Sequence, residues 1–175
     1  MKRRCGVVII SHSFKETLKF GKAIAKHLKP ADIICLSGEL GSGKTVLAKG
    51  IASGLGIKTS KITSSSFVLI REHLEGRLPF YHFDLYRLKE ARDISTLGYE
   101  NYLSGDGVSV IEWGEKLKYL TPKEHLKVEL SYHGKFKRTL KFYAQGARFK
   151  DLLREIRESR TFQKFKQNKK KVRGE

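Results

Sequence analysis

Residues 33–45 read IICLSGELGSGKT, and this stretch predicts both the fold and a phosphate-binding site. The run IICLS is almost wholly apolar, as is typical of strands buried inside parallel sheets. The residues that follow, Gly38-x4-Gly43-Lys44-Thr45, match the phosphate-loop motif in full. Glycines let backbone N–H groups turn towards phosphate, and the following helix adds its positive N-terminus. The predicted nucleotide contacts in this stretch are Gly38, Glu39, Leu40, Gly41, Ser42, Gly43, Lys44, Thr45 and Val46.

A phosphate loop needs a metal ion as well as a cation. Lys44 is predicted to reach the β- and γ-phosphates, and the hydroxyl of Thr45 is predicted to bind Mg²⁺. Further oxygen ligands must come from elsewhere in the chain. The sequence therefore predicts a bound nucleotide with Mg²⁺, and acidic residues close to the loop.

Two acidic residues follow apolar runs and suit that role. Glu112 ends the strand-like VSVIE, which is the usual position of the second metal-binding acid in such folds, and Asp84 lies in YHFDLYR. An ion pair at the sheet end is the alternative for Glu112, and a helix N-cap is the alternative for Asp84. The predicted catalytic residues are Lys44, Asp84 and Glu112, and the predicted metal ligands are Thr45, Asp84 and Glu112.

Several neighbouring residues have two interpretations each. Residues 63–67 (TSSSF) suit a loop that senses the γ-phosphate, and they equally suit an ordinary loop. His82 is interpreted as structural, with a catalytic base as the bolder alternative. Arg87 suits either phosphate charge or a surface ion pair, and Trp113 is predicted to be half-buried beside the site.

The remaining pattern predicts an α/β protein with a three-layer P-loop NTPase fold, whose central sheet is mostly parallel with antiparallel edge strands. Ser13 and Glu16 have the spacing of a capping box for a helix reaching Leu28. We expect this helix and the one after Lys44 to connect neighbouring parallel strands, with the antiparallel strands at one edge of the sheet. Predicted hairpins span 67–84 and 125–144, and an amphipathic helix spans 147–159. One domain is predicted over 1–159, followed by a basic tail over 160–175.

The net charge of the chain favours polyanionic partners. Thirty-six Lys and Arg residues oppose 18 Asp and Glu residues, for a net charge of +18. Such a field attracts nucleic acid but says nothing about the fold. The tail suits either direct RNA contact or a solvated segment. The two cysteines, Cys5 and Cys35, are interpreted as buried thiols, and the absence of a long apolar run predicts a cytoplasmic protein without a membrane span.

Taken in order, GELGSGKT, SSSF, YHFDLYRL and VIEW resemble the TsaE (formerly YjeE) family of small bacterial P-loop ATPases over about residues 13–117. The resemblance implies ATP hydrolysis with Mg²⁺ in forming the threonylcarbamoyl group on adenosine next to the anticodon of tRNAs that read codons beginning with A. It implies the TsaD–TsaB pair as partners, with slow turnover in their absence. It also implies that Asp84 is the second-switch residue, that Ser64 and Ser66 belong to the first switch, and that Ser13 lies near the base.

The chain departs from the family pattern at three places. The first switch of the family usually reads SPTF or SPTY, whereas here it reads SSSF. Val46 stands where threonine is common, which removes one possible phosphate contact. The basic tail is not explained by the resemblance.

Three alternative functions fit the sequence less well than an ATPase of the TsaE type. A small-molecule kinase usually needs an arginine-bearing lid, and no arginine-rich insertion lies between the core strands. A GTPase needs Asn-Lys-x-Asp, and the one Asn-Lys pair, at 168–169, is followed by Lys-Lys. A basic RNA-binding protein with a vestigial nucleotide site agrees with the tail, but the intact Lys44, Thr45 and Glu112 argue against vestigial status.

Overall fold

The computed structural model describes residues 6–64 and 68–163. The strands are β1 (Val7–Ser11), β2 (Ile33–Ser37), β3 (Ile70–His73), β4 (Phe80–Asp84), β5 (Val108–Glu112), β6 (His125–His133) and β7 (Lys137–Gln145). The helices are α1 (Phe14–Ala25), α2 (Lys44–Gly54), α3 (Arg92–Ser95), α4 (Tyr99–Ser104) and α5 (Ala147–Glu158), with 3₁₀ segments at Thr59–Lys61 and Gly114–Leu120. Within these residues no helix is long and apolar enough to cross a membrane.

All the described strands join one sheet in the order β1-β7-β6-β2-β5-β4-β3. The four central strands, β6, β2, β5 and β4, are mutually parallel. Every residue of β2, β4 and β5 is buried, so both faces of the central sheet are covered, as in a three-layer fold. The predicted fold class is confirmed, and so are both predicted hairpins.

Two details of the predicted topology are wrong. Antiparallel strands lie at both edges, because β3 pairs with β4 at one edge and β7 pairs with β6 and β1 at the other. In addition, neither helix connects neighbouring parallel strands: α2 leads from β2 to β3, which lies antiparallel to it at the sheet edge, and α1 connects β1 to β2, which are not neighbours. The β6–β7 hairpin lies between them, and local sequence patterns around β1 carry no information about a hairpin more than 110 residues away.

Helix α1 begins as predicted and ends earlier. The Ser13 side chain accepts a hydrogen bond from the backbone N–H of Glu16, while the carboxylate of Glu16 accepts one from the N–H of His12, at 2.7 Å. The helix ends at Ala25 and not at Leu28, although Leu28 is still buried after the following turn. Its buried face is centred on Phe20 and Ile24, and Leu18 is only half-buried.

Helices α1 and α2 pack closely because glycines face each other at their contact. A Cβ atom on Gly50 would lie 2.4 Å from the carbonyl oxygen of Leu18, and one on Gly21 would lie 2.6 Å from that of Leu47. Helix α2 starts at Lys44, within the phosphate-loop motif. The close helix contact therefore sets where that loop lies against the sheet.

The C-terminal helix packs beside the end of α1. Arg148 on α5 donates two hydrogen bonds, at 2.8 and 2.6 Å, to the buried carboxylate of Asp32, which precedes β2. After α5, Phe162 is buried and its ring centroid lies 6.2 Å from that of Phe20. The predicted domain boundary after residue 159 stays a prediction, and most of the predicted tail, residues 164–175, lies outside the described residues, as does Cys5.

We predict that Gly50→Ala destabilises the protein. Alanine would add about 1 kcal/mol of helix propensity, but the clash with the Leu18 backbone should cost about 1–3 kcal/mol more than that gain, because the backbone of a packed helix has little room to move. Urea denaturation measures the difference. Ser53→Ala, on the same helix, is the control and should change stability little; a Gly50→Ala variant as stable as wild type would contradict the close packing.

Candidate functional site

The segment between β2 and α2 has the backbone shape of a phosphate loop. Gly38 and Gly43 have φ values of 138° and 102°, in the region that favours glycine. At Gly38 a Cβ atom would also lie 2.1 Å from the carbonyl oxygen of Leu130, so only glycine fits there. Gly43 precedes the first residue of α2, so the N-terminus of that helix points into the loop.

Lys44 curls back over the loop. Its ammonium donates to the carbonyl oxygens of Gly38, at 2.7 Å, and Glu39, at 2.9 Å, and it lies 3.6 Å from the centre of the Trp113 indole ring. Burial lowers the pKa of Lys44 below its usual 10.5, and the nearby carboxylates of Glu112, Glu115 and Asp84 oppose that shift. The loop therefore holds a buried cation above its own carbonyl groups.

A chain of hydrogen bonds connects the loop to the ends of β5 and β4. The Thr45 hydroxyl donates to Oε2 of Glu112 at 2.7 Å, and Nε2 of His82 lies 2.8 Å from Oε1 of the same carboxylate. The side chains of His82 and Glu112 are only 1% and 2% exposed. Both Glu112 oxygens are thus engaged, and the carboxylate is held in one orientation next to Thr45. His82 contacts the carboxylate and not the cleft, which agrees with its interpretation as a structural residue.

Asp84 lies beside Glu112 in the paired strands β4 and β5. Its Oδ1 accepts a hydrogen bond from the N–H of Tyr86 at 3.1 Å, and its Oδ2 accepts one from the Ser64 hydroxyl. The first of these bonds shapes a turn, and the first residue of α3 is Arg92, so Asp84 does not cap a helix. The second bond ties the predicted second switch to the start of the predicted first switch. Ser65, Ser66 and Phe67 lie outside the described residues.

These groups surround an open cleft of about 440 Å³. The residues lining it are Phe14, Leu40, Gly41, Gly43, Lys44, Thr45, Val46, Ser64, Tyr86, Arg87, Glu112 and Trp113. Among the predicted contacts, Gly38, Glu39 and Ser42 belong to the loop without lining the cleft, and Asp84 lies behind Ser64. Ser13 caps α1, and its neighbour Phe14 faces the cleft instead. Trp113 is half-buried beside the site, as predicted.

Arg138 is a residue of this region that sequence reasoning missed. It lies on β7, is only 5% exposed, and its guanidinium carbon is 4.5 Å from the centre of the Phe14 ring. Its Nη1 donates to the carbonyl of Lys135, whereas its Nε has no hydrogen-bond partner among the described residues and lies 3.8 Å from where a Cβ of Gly43 would be. The alternation of residues along β7 could have predicted that Arg138 is buried, because Arg138 lies on the same face of the strand as Leu140 and Phe142.

The arrangement fits a phosphate group with a divalent cation. Positive groups are supplied by the glycine loop, by the N-terminus of α2 and by Lys44. The Ser42 hydroxyl is buried and has no hydrogen-bond partner within the described parts of the chain. Thr45 and Glu112 supply two neighbouring oxygen atoms of the kind that Mg²⁺ prefers. No group of three His, Cys, Asp or Glu side chains in residues 6–64 and 68–163 could hold a metal alone. Mg²⁺ is usually held by one or two protein oxygens together with phosphates and water, which is the number that Thr45 and Glu112 would supply.

The order of the sheet, the glycine loop and the paired acid define a protein with a P-loop NTPase fold. The sequence model described as "Threonylcarbamoyl adenosine biosynthesis protein TsaE" matches residues 11–140. The chain belongs to the TsaE family. The matched region extends beyond the resemblance seen in the sequence, and it includes Arg138.

Relatives that carry the TsaE name are similar to most of the chain. The chain is 37% identical over 142 residues to the tRNA threonylcarbamoyladenosine biosynthesis protein TsaE of Bacillus subtilis, covering 81% of this chain and 88% of that one. It is 41% identical over 122 residues to the protein of the same name from Nostoc sp., covering 67% and 74%. Its fold is similar to the crystal structure of Bacillus subtilis YdiB, with a TM-score of 0.73, 35% identity, and coverage of 86% and 93%.

We predict that the fluorescence of Trp113, the single tryptophan, reports the charge of Lys44. An alkaline titration of the wild type should contain a transition with a midpoint below 10.5, because burial lowers the pKa of Lys44. Lys44→Met should remove that transition. Tyrosine ionisation will quench both proteins alike, and Lys116→Met, which removes a lysine near the ring of Tyr86, is the matched control. Superimposable curves for wild type and Lys44→Met would contradict the ammonium–indole contact.

Proposed function

We propose that the protein is a Mg²⁺-dependent ATPase required to form the threonylcarbamoyl group on adenosine next to the anticodon in tRNAs that read codons beginning with A, and that it acts on a TsaD–TsaB complex. Family membership supports the pathway. The observation that carries the activity is the joint position of Lys44, Thr45 and Glu112 at one cleft. A cytoplasmic location is part of the proposal.

Nucleotide binding would exchange one set of contacts for another at Lys44. Its ammonium already leans over the loop towards the carbonyls of Gly38 and Glu39. Phosphate oxygens would replace those carbonyls as acceptors, and a bound anion would also relieve the cost of a buried cation.

The metal site would be completed by the nucleotide. Thr45 and Glu112 would hold Mg²⁺, directly or through water, and Mg²⁺ supplies charge neutralisation on the transferred phosphoryl group. His82 would keep the Glu112 carboxylate oriented through Oε1, while Oε2 faces Thr45. Hydrogen bonding by a buried neighbour is a common way to orient a metal ligand.

Asp84 would serve hydrolysis more than binding. Its carboxylate accepts the hydroxyl of Ser64, which itself lines the cleft. Release of Ser64 would free one carboxylate oxygen to orient water or to assist at the metal. A partner that displaces the Ser64 side chain would thereby control turnover, and this is how TsaD and TsaB would act under the proposal.

We predict that Glu112→Gln and Asp84→Asn still bind ADP but hydrolyse ATP about 100-fold more slowly or worse, which is the scale for losing one pre-positioned charged or proton-accepting group. Calorimetry measures the affinity, and phosphate release measures turnover. Glu158→Gln, which changes an exposed acid on α5 away from the cleft, is the matched control and should keep wild-type turnover.

Two results would oppose the proposal in different ways. Full turnover in Glu112→Gln would remove this residue from the site. Wild-type protein that binds no nucleotide with or without Mg²⁺ would reject the ATPase itself. A small-molecule kinase, the other enzymatic alternative, has no specific feature of the described residues in its favour.

A further inference from the structure

We propose that the tip of the β6–β7 hairpin, residues 131–137, binds an unpaired stretch of RNA. The tip reads SYHGKFK, and all seven residues are exposed. Two large aromatic side chains stand out from it, with Tyr132 47% exposed and Phe136 51% exposed. None of these seven residues lines the nucleotide cleft, so the surface is separate from the site already described.

The charge of the hairpin favours nucleic acid over protein. From residue 130 to residue 150 the chain contains no Asp or Glu, while Lys135, Lys137 and Lys141 are exposed. Lysine is depleted at protein–protein interfaces, whereas phosphate backbones attract it. Exposed aromatic rings between lysines are the combination that binds single strands, because bases stack on the rings and phosphates contact the ammonium groups.

The hairpin presents these side chains from an ordered backbone. Strands β6 and β7 are paired up to His133 and Lys137, which are opposite each other at the tip. Gly134, with a φ of 73°, lies in the turn. Because the backbone is already fixed, stacking on Tyr132 and Phe136 would not require folding of the tip.

The tip also lies near the phosphate loop. The carbonyl of Leu130, just before the tip, packs against Gly38, and the carbonyl of Lys135 accepts a hydrogen bond from Arg138, which stacks on Phe14 at the cleft. RNA bound at the tip would therefore be adjacent to bound nucleotide. That the RNA is tRNA rests on the proposed function; the existence of the surface does not.

The test is fluorescence anisotropy with the full chain and two labelled probes, an unmodified tRNA transcript and a short oligouridine. Two double variants isolate the two contributions. Tyr132→Ala with Phe136→Ala should weaken binding to both probes about tenfold or more, since each stacked base contributes appreciably to affinity. Lys135→Gln with Lys137→Gln should lower the log–log salt slope for the oligouridine by about 1.4.

Matched controls come from exposed lysines elsewhere. Lys19→Gln with Lys123→Gln removes the same charge away from the tip and should lower the slope by much less. Because every altered side chain is exposed, melting temperatures should match wild type, and a variant that fails this check is replaced by Tyr132→Ser with Phe136→Ser. ATP turnover is measured on the same samples.

The outcomes separate the two proposals. Loss of RNA affinity in the tip variants, with unchanged ATP turnover, supports RNA binding by the tip, whether or not the protein acts with TsaD and TsaB. Unchanged RNA affinity in both tip variants overturns it, and so does a wild type that binds neither probe. Unchanged RNA affinity together with lost binding to the TsaD–TsaB pair would show a protein-binding surface, which also overturns it. Failure of Lys44→Ala to reduce nucleotide binding would count against the ATPase alone.

Discussion

Parallel pairing of β2 with β5 is the constraint on which the candidate site depends. In this pairing Leu36 is opposite Glu112, so the end of β5 reaches the sheet edge where β2 passes into the glycine loop. Thr45, eight residues beyond Ser37, then returns to within 2.7 Å of the Glu112 carboxylate. A shift of one residue in this register would turn the Glu112 side chain to the opposite face of the sheet. The groups that would hold phosphate and metal therefore meet because two buried strands are aligned.

The second consequence of that alignment is electrostatic. Glu112 and Asp84 are buried at the ends of neighbouring strands, and Lys44 is the buried cation that faces them. Burial of these charges without partners would be costly, and each of them is hydrogen-bonded. His82 adds a partner for Glu112 behind the cleft. The positive end of the site faces the loop where phosphate would lie.

Local patterns predicted most of this site, and long-range packing limited the rest. The motif around Lys44 is one continuous stretch of sequence, and so is the apolar run before Glu112. The strand, loop and helix could therefore be predicted from 13 consecutive residues together with one later strand. The placement of β1 could not be predicted from the sequence, because it depends on the β6–β7 hairpin, which comes from the far end of the chain. Arg138 was missed because its charge suggested the surface, while the buried face of β7 holds it against Phe14. The contact of Ser64 with Asp84 joins residues 20 positions apart, and no periodic pattern predicts such a loop contact.

The most direct measurement is the number of modified adenosines formed per TsaD–TsaB complex, counted with the ADP released, in a reconstituted reaction containing unmodified tRNA. If the protein hydrolyses ATP to reset the TsaD–TsaB complex between turnovers, wild type should raise the count well above one per complex while ADP accumulates. Lys44→Ala should leave the count near one and release little ADP. An equal count with wild type, with Lys44→Ala and without the protein would contradict an ATP-dependent role in tRNA modification.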